Sequence, residues 1–240
     1  MSRYGWTIRS ASRKLDYIVL QFRILATTCF LIICQTHHAS AQVTNITWTG
    51  IDLSIPIDDR SQIDIKPIIR HNLDGEGYQN TSLDIFYRRS FDQGFFGQVL
   101  TRTWFMPEAR YRLFLWLDVG KKWKIKKSTL RQKFRLHYAV DVNDNFDGDF
   151  IRSFTTISHP VSERLSISLN LEPWLSLNDD IQISRYRIEP GVAYNLSETW
   201  RIKAVYRWQS DFREVPINNQ NHLVTTLIYK LVREERKSAP

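Results

Sequence analysis

The chain reads as an all-β protein, a single antiparallel up-and-down transmembrane β-barrel of ten to twelve strands. Three observations lead there. Apolar and polar residues alternate with period two along successive stretches of about ten residues, the length a tilted strand needs to cross a hydrocarbon layer. Tight turns and longer polar links alternate along the chain, as they do when each set occupies one rim of a barrel. The polar strand faces carry about fifteen Arg or Lys against about five acidic residues, while Leu, Ile, Tyr and Trp crowd the apolar faces.

A leader precedes the first alternating stretch. Arg3, Arg9, Arg13, Lys14 and Arg23 come before a short apolar run over 24–34, and Ala39-Ser40-Ala41 supplies a small-residue cleavage pattern. This is the pattern of a secretory signal peptide, and the run is too short for a comfortable membrane helix. Residues 1–41 are expected to be removed, leaving a barrel over 42–231 and a charged tail over 232–240. The leader carries both cysteines, Cys29 and Cys34, and half of the formal charge of +8. What remains has no thiol, which suits export without disulfides, and too small a positive excess to argue for nucleic acid.

The strands can be taken in order. Ile51, Leu53 and Ile55 share a face, and the chain turns at 56–60. Ile63, Ile65 and Ile69 return with Asp64, Lys66 and Arg70 opposite. After a looser link over 72–80, Leu83, Ile85 and Tyr87 alternate with Asp84 and Arg88. Asp92-Gln93-Gly94 turns the chain, and Val99, Thr101, Thr103 and Phe105 come back opposite Gln98 and Arg102.

Tyr111, Leu113, Leu115, Leu117 and Val119 face away from Arg112 and Asp118. Beyond 124–128, Leu130, Phe134, Leu136, Tyr138 and Val140 alternate with Arg131, Lys133, Arg135 and His137. Residues 150–158 make a poorly patterned strand. Leu165, Ile167, Leu169 and Leu171 follow, backed by Ser166, Ser168, Asn170 and Glu172.

The most regular stretch is 183–209, where Tyr186, Ile188, Val192 and Tyr194 alternate with Arg185, Arg187 and Glu189. Across the turn, Trp200, Ile202, Ala204, Tyr206 and Trp208 alternate with Arg201, Lys203, Arg207 and Gln209. Leu223, Thr225, Leu227, Tyr229 and Leu231 end the series. The count is eleven, yet single-chain bacterial barrels use even numbers, so twelve is preferred within the range.

A soluble sandwich or a lipocalin-like barrel alternates too, with its apolar face inward. Long strands and scarce glycine favour the membrane form. The two readings differ in which face is inside.

The early Trp48, the basic strand Leu130-Arg131-Gln132-Lys133-Phe134-Arg135-Leu136, and Arg185-Tyr186-Arg187 followed by Pro190-Gly191-Val192-Ala193-Tyr194 resemble an uncharacterised family of Gram-negative outer-membrane barrel proteins, carried under a domain-of-unknown-function label. The resemblance spans 48–231 and implies fold and a place in the outer membrane, with no activity attached. The charged tail departs from the usual aromatic end of an assembly signal, a part that Tyr229 is placed to take. The expected partners are outer-membrane lipid and lipopolysaccharide, the barrel assembly machinery and small anionic solutes, for a monomer that takes no nucleic acid.

Arg131, Lys133, Arg135, Arg185, Arg187, Arg201, Lys203 and Arg207 should project into the lumen. There they either select anions, as basic rings do in anion pores, or pair with Asp64, Asp84, Asp118, Glu172 and Glu189 as a structural ladder. Asn143, Asn145, Asp147 and Asp149, with Gly148 between, resemble the front half of a calcium loop, but Phe154 stands where a bidentate carboxylate belongs. A water-facing Asp/Asn/Gly turn is the competing reading. His71, His137, His159 and His222 sit in no serine motif, and no phosphate loop or redox motif asks for a cofactor. The function expected is a narrow passive pore or a structural barrel with a basic lumen. The alternatives are an outer-membrane lipid-modifying enzyme and a soluble periplasmic binding barrel.

Overall fold

The computed structural model describes residues 43–231 apart from 76, 108–110, 141–149, 178–181 and 213–216. The leader, the charged tail and the calcium-like candidates Asn143, Asn145, Asp147 and Asp149 lie outside the described residues.

Eleven strands follow one another: β1 (Val43–Pro56), β2 (Ser61–Asn72), β3 (Gly77–Ser90), β4 (Phe95–Phe105), β5 (Tyr111–Ile125), β6 (Ser128–Val140), β7 (Phe150–Pro160), β8 (Leu165–Ser176), β9 (Gln182–Asn195), β10 (Trp200–Asp211) and β11 (Asn218–Lys230). Each pairs antiparallel with its neighbours in sequence, and the order closes into a barrel. The weakly patterned β7 is paired along both edges. Its pattern is weak because both faces are mixed: Phe150, Arg152 and Phe154 point inward, while Ser153 and Thr155 stand on the outer side, bonded to Gln132.

Closure explains the odd count. Ten hairpin reversals leave β1 and β11 pointing the same way, so the seam between them is parallel, running from Val43 opposite Asn219 to Ser54 opposite Lys230. No twelfth strand forms among the described residues, and a single parallel pair takes the place of the outward strand that an even-numbered barrel requires. Side chains reinforce the seam. Asn221 Nδ2 donates to Asn45 Oδ1 at 3.4 Å, and the Thr49 and Thr225 hydroxyls lie 3.4 Å apart.

Connections of two to four residues join the strands at one rim, while longer ones over 106–110, 141–149, 177–181 and 212–217 gather at the other. The link after β2 is shorter than its glycines imply, because β3 already begins at Gly77.

The two faces are inverted relative to a water-soluble barrel. Ile167, Leu169 and Ile202 are 49 %, 42 % and 43 % exposed, whereas Asp84, Asp118 and Glu172 are 1 %, 0 % and 1 %. Aromatic side chains stand on the outer face near both rims, with Tyr87, Phe95, Trp123, Tyr194 and Trp200 at the short-turn end. Tyr78, Phe105, Tyr111 and Tyr206 stand toward the other. The apolar interior is small. One cluster joins Leu100, Phe114 and Trp116 with Phe86 and Trp104, and another joins Ile46, Trp48 and Ile68 with Val224.

Candidate functional site

The lumen is built by register. Because inward positions recur every second residue, a carboxylate on one strand meets a base at the matching position of the next. Asp84 on β3 lies opposite Arg102 on β4, Asp118 on β5 opposite Arg135 on β6, Glu172 on β8 opposite Arg187 on β9, and Arg185 on β9 opposite Asp211 on β10. Each of these pairs is an ion pair. Lys133 adds a second cation to Asp118 at 2.9 Å, Arg152 a second to Glu172 through Nε at 2.8 Å, and Arg207 pairs with Glu189. Nearer the short turns, Arg88 meets Asp64 at 3.3 Å and Lys66 meets Asp52 at 3.4 Å.

These arginines use their faces as well as their edges. Arg152 lies 3.9 Å over the Trp174 ring, Arg135 4.3 Å over Trp116, and Arg185 and Arg187 4.5 and 4.6 Å over Trp174. A planar, weakly hydrated guanidinium can donate in its plane to a carboxylate while its face rests on an indole. The carboxylates hold the edges and the tryptophans hold the faces, so the side chains are fixed in two directions.

A cavity of about 540 Å³ runs through the lumen, lined most densely toward the long links. Arg131, Lys133, Arg135, Arg185, Arg187, Lys203 and Arg207 line it, joined by Arg70, Arg102 and Arg152, with Glu172 and Glu189 as the carboxylates of the lining. Arg201 sits apart toward the short turns, donating to Ser166 Oγ at 2.7 Å, and Asp64, Arg88 and Gln98 are likewise outside the cavity wall. Paired side chains such as Arg88 and Asp64 lie outside this basic, aromatic chamber, which reaches Arg131, Ser168 and Lys203 near the short-turn ends of β6, β8 and β10.

The pairing is incomplete. Among the described residues Arg70, Arg131 and Lys203 have no carboxylate within ion-pair distance. Cations thus outnumber carboxylates around a chamber with low-dielectric walls, an arrangement that concentrates anions.

The reading of the sequence did not find the inward aromatic set. Trp48, Trp104, Phe114, Trp116, Phe150 and Trp174 all line the chamber. Phe114 and Trp116 share the parity of Arg112 and Asp118, but the unbroken apolar run Leu113-Phe114-Leu115-Trp116-Leu117 masks them as inward residues. The signal that could have shown it is Asp118, two residues beyond Trp116 and on the same face. Phe154 also faces inward, under the Lys133 ammonium at 3.9 Å.

The histidines divide between lumen and rim. His137 is stacked against Phe114 and Phe150 with centroids 5.4 and 6.1 Å away, and neither ring nitrogen has a hydrogen-bond partner. It is packed as an aromatic, without a hydroxyl or carboxylate to work with. A hydroxyl–imidazole contact does occur at the short-turn rim, where Ser128 Oγ lies 2.9 Å from His159 Nδ1. Among the described residues no three His, Cys, Asp or Glu side chains gather in a metal-binding group. Comparison with protein-family models and with curated proteins finds no match for this chain.

Proposed function

We propose that the protein is an outer-membrane β-barrel whose basic lumen admits small anionic solutes from the end that carries the long links. One observation carries the reading: a broad apolar surface, broken by the hydrogen-bonded Gln132, Ser153 and Thr155 of β6 and β7, faces outward and the ion pairs face inward. A band of exposed Ile, Leu and Val this extensive is far larger than soluble proteins tolerate, and hydrocarbon is the solvent that makes it favourable. Strands of 11 to 15 residues are long enough to cross a bilayer at the usual tilt. The outer aromatic residues near both rims support the same placement. The outer-membrane resemblance of the basic strands adds the compartment, and with it lipopolysaccharide and the assembly machinery as partners of a monomer.

A soluble periplasmic binding barrel is disfavoured by that outer face. The ion pairs inside the lumen take up much of its width, so small, anion-preferring conductance is the expected behaviour rather than a wide pore.

The test has two stages. Detergent-dependent extraction with heat-modifiable gel mobility is expected first. In planar bilayers the folded protein should then pass chloride in preference to potassium. Arg131→Glu and Lys203→Glu should weaken that preference, because neither residue holds a carboxylate that reversal would set against a like charge. Partition into the aqueous phase without detergent, or preference for cations, sinks the reading.

The Ser128–His159 contact is the observation that speaks for a lipid-modifying enzyme, since it lies near the lipid-facing surface. It has only two members among the described residues, with no third group orienting the imidazole, and a hydrolytic site needs one. Phospholipid turnover by the purified barrel, lost in Ser128→Ala, would shift the balance toward that reading.

A further inference from the structure

Trp48 on β1 has two arginines against its ring. Arg70, opposite it on β2, has its guanidinium carbon 3.8 Å from the ring centroid, and Arg207 on β10 lies at 4.4 Å. The His222 ring meets the same indole edge-on at 5.4 Å. Arg70 also lies 4.5 Å over Trp104, so its faces are occupied by two indoles.

The edges of this group are buried without partners. Arg70 is 6 % exposed, yet its Nε and Nη2 have no hydrogen-bond partner. Arg207 spends Nε on Glu189 and leaves Nη1 unpartnered. The Nε1 atoms of Trp48 and Trp104 and the Nδ1 of His222 are unpartnered too. All five side chains line the chamber. A buried guanidinium without a counter-charge is costly, and most of the lumen shows the usual remedy: Arg88, Arg102, Arg135, Arg152, Arg185, Arg187 and Arg207 each have a carboxylate, whereas Arg70, like Arg131, has none.

We propose that Arg70 and Arg207, with the indoles of Trp48 and Trp104, form a subsite for a phosphate-class oxyanion, either inorganic phosphate or the phosphate of a small ester. This deepens the reading of a basic lumen and rests on it. Arg70 Nε and Nη2 and Arg207 Nη1, on two guanidinium groups packed against the same indole, have no acceptor. A tetrahedral oxyanion offers multiple charged oxygens to such donors, whereas chloride offers one centre. Charge-assisted bonds from a guanidinium fork are the strongest available, and the Nε and Nη2 of Arg70 have no partner. The chamber, at about 540 Å³, holds such an anion together with the remainder of an ester.

The experiment uses the full folded barrel in phosphate-free detergent micelles, titrated with sodium phosphate against sodium chloride at matched ionic strength. Calorimetry and thermal unfolding are read in parallel. Phosphate should bind and raise the unfolding midpoint beyond chloride, since a ligand bound only by the folded state stabilises it. Arg70→Gln should weaken phosphate binding about ten-fold or more. Without phosphate it should unfold no lower than wild type, because it removes an uncompensated buried cation. Arg70→Lys, which keeps the charge and loses the fork, should fall between. Arg201→Gln, outside the chamber, should bind as wild type does.

Repeating the titration in phospholipid vesicles separates the sources. A solute site gives the same phosphate response there, and occupation by lipid phosphate abolishes it. Phosphate binding no tighter than chloride, or full binding by Arg70→Gln, overturns the subsite. Anion preference in bilayers persisting alongside that result leaves the basic lumen standing, so the two failures are distinguishable.

Discussion

Asp118 on β5 and Arg135 on β6 face each other across one rung of the barrel, and the guanidinium grips both carboxylate oxygens, Nε to Oδ1 at 2.6 Å and Nη2 to Oδ2 at 2.8 Å. Lys133 donates to the same carboxylate, which is sealed from solvent. One buried anion therefore holds two buried cations. Asp118→Asn should destabilise the barrel by about 3–5 kcal/mol, because it leaves the cations without their counter-charge. The loss is measurable as a lower urea midpoint in micelles. Replacing all three members, as Asp118→Leu with Lys133→Met and Arg135→Met, should recover most of it. An Asp118→Asn protein as stable as wild type would mean that the ladder does not hold the barrel together.

A different constraint acts one rung toward the short turns. A Cβ on Gly120 would lie 2.5 Å from the Gln132 carbonyl oxygen and 2.5 Å from the Phe96 ring. Phe96 is itself buried, with Arg131 4.4 Å over its ring. Gly120→Ala must push the β6 backbone as well as the ring, so overpacking should cost about 1–3 kcal/mol. Trimming the ring with Phe96→Leu should relieve only part of that, since the carbonyl contact remains. Full relief in the double variant would show that the backbone approach is unimportant.

Much of this architecture was legible before any coordinates, and the reason is geometric. A strand's side chains alternate rigidly, so Arg185, Arg187, Arg201 and Lys203 were separable from Tyr186, Ile188 and Ile202 by position alone. The eleven strands were countable for the same reason. How the barrel closes was not, because parallel pairing of β1 with β11 is a relationship between the chain's two ends that no local pattern encodes. The chamber was only half legible. Bases announce their face, but Trp104, Phe114 and Trp116 look lipid-facing until a neighbouring arginine is known to need their rings. Which cations stay unpaired was not readable either, since Arg70 and Arg102 look alike in sequence and differ only in what lies across the rung.

The division of the tryptophans gives a direct test of which solvent meets which face. Trp200 is 38 % exposed and Trp123 39 %, both on the outer surface, while Trp116 and Trp174 are 4 % and 6 % exposed inside the lumen. In vesicles of brominated phospholipid, variants that retain only Trp200 or only Trp123 should lose most of their fluorescence. A variant that retains only Trp116 should keep its own. Equal quenching of inner and outer residues would contradict a sealed barrel wall in the bilayer.

The rim where the long links gather carries a titratable clasp. Asp74, in the link after β2, accepts from the Asn45 side chain at 2.9 Å and from the Asn45 backbone N–H at 2.5 Å, while Leu73 N–H donates back to the Asn45 carbonyl at 2.8 Å. Those two bonds from Asn45, the side-chain one foremost, hold the Asp74 carboxyl below its ordinary value. A carboxylate depressed by folding stabilises the structure at pH above its unfolded value, near 3.9, and that contribution disappears as pH falls through the lower folded value. Amide-exchange protection at Asn45 and Leu73 should therefore be high at neutral pH and fall in strongly acidic buffer, with the middle of β1 unaffected. Asp74→Asn should show weaker protection that no longer depends on pH. If protection at Asn45 fell in acid just as steeply in Asp74→Asn, another group would be responsible, and the start of the parallel seam would owe its order to the strand pairing alone.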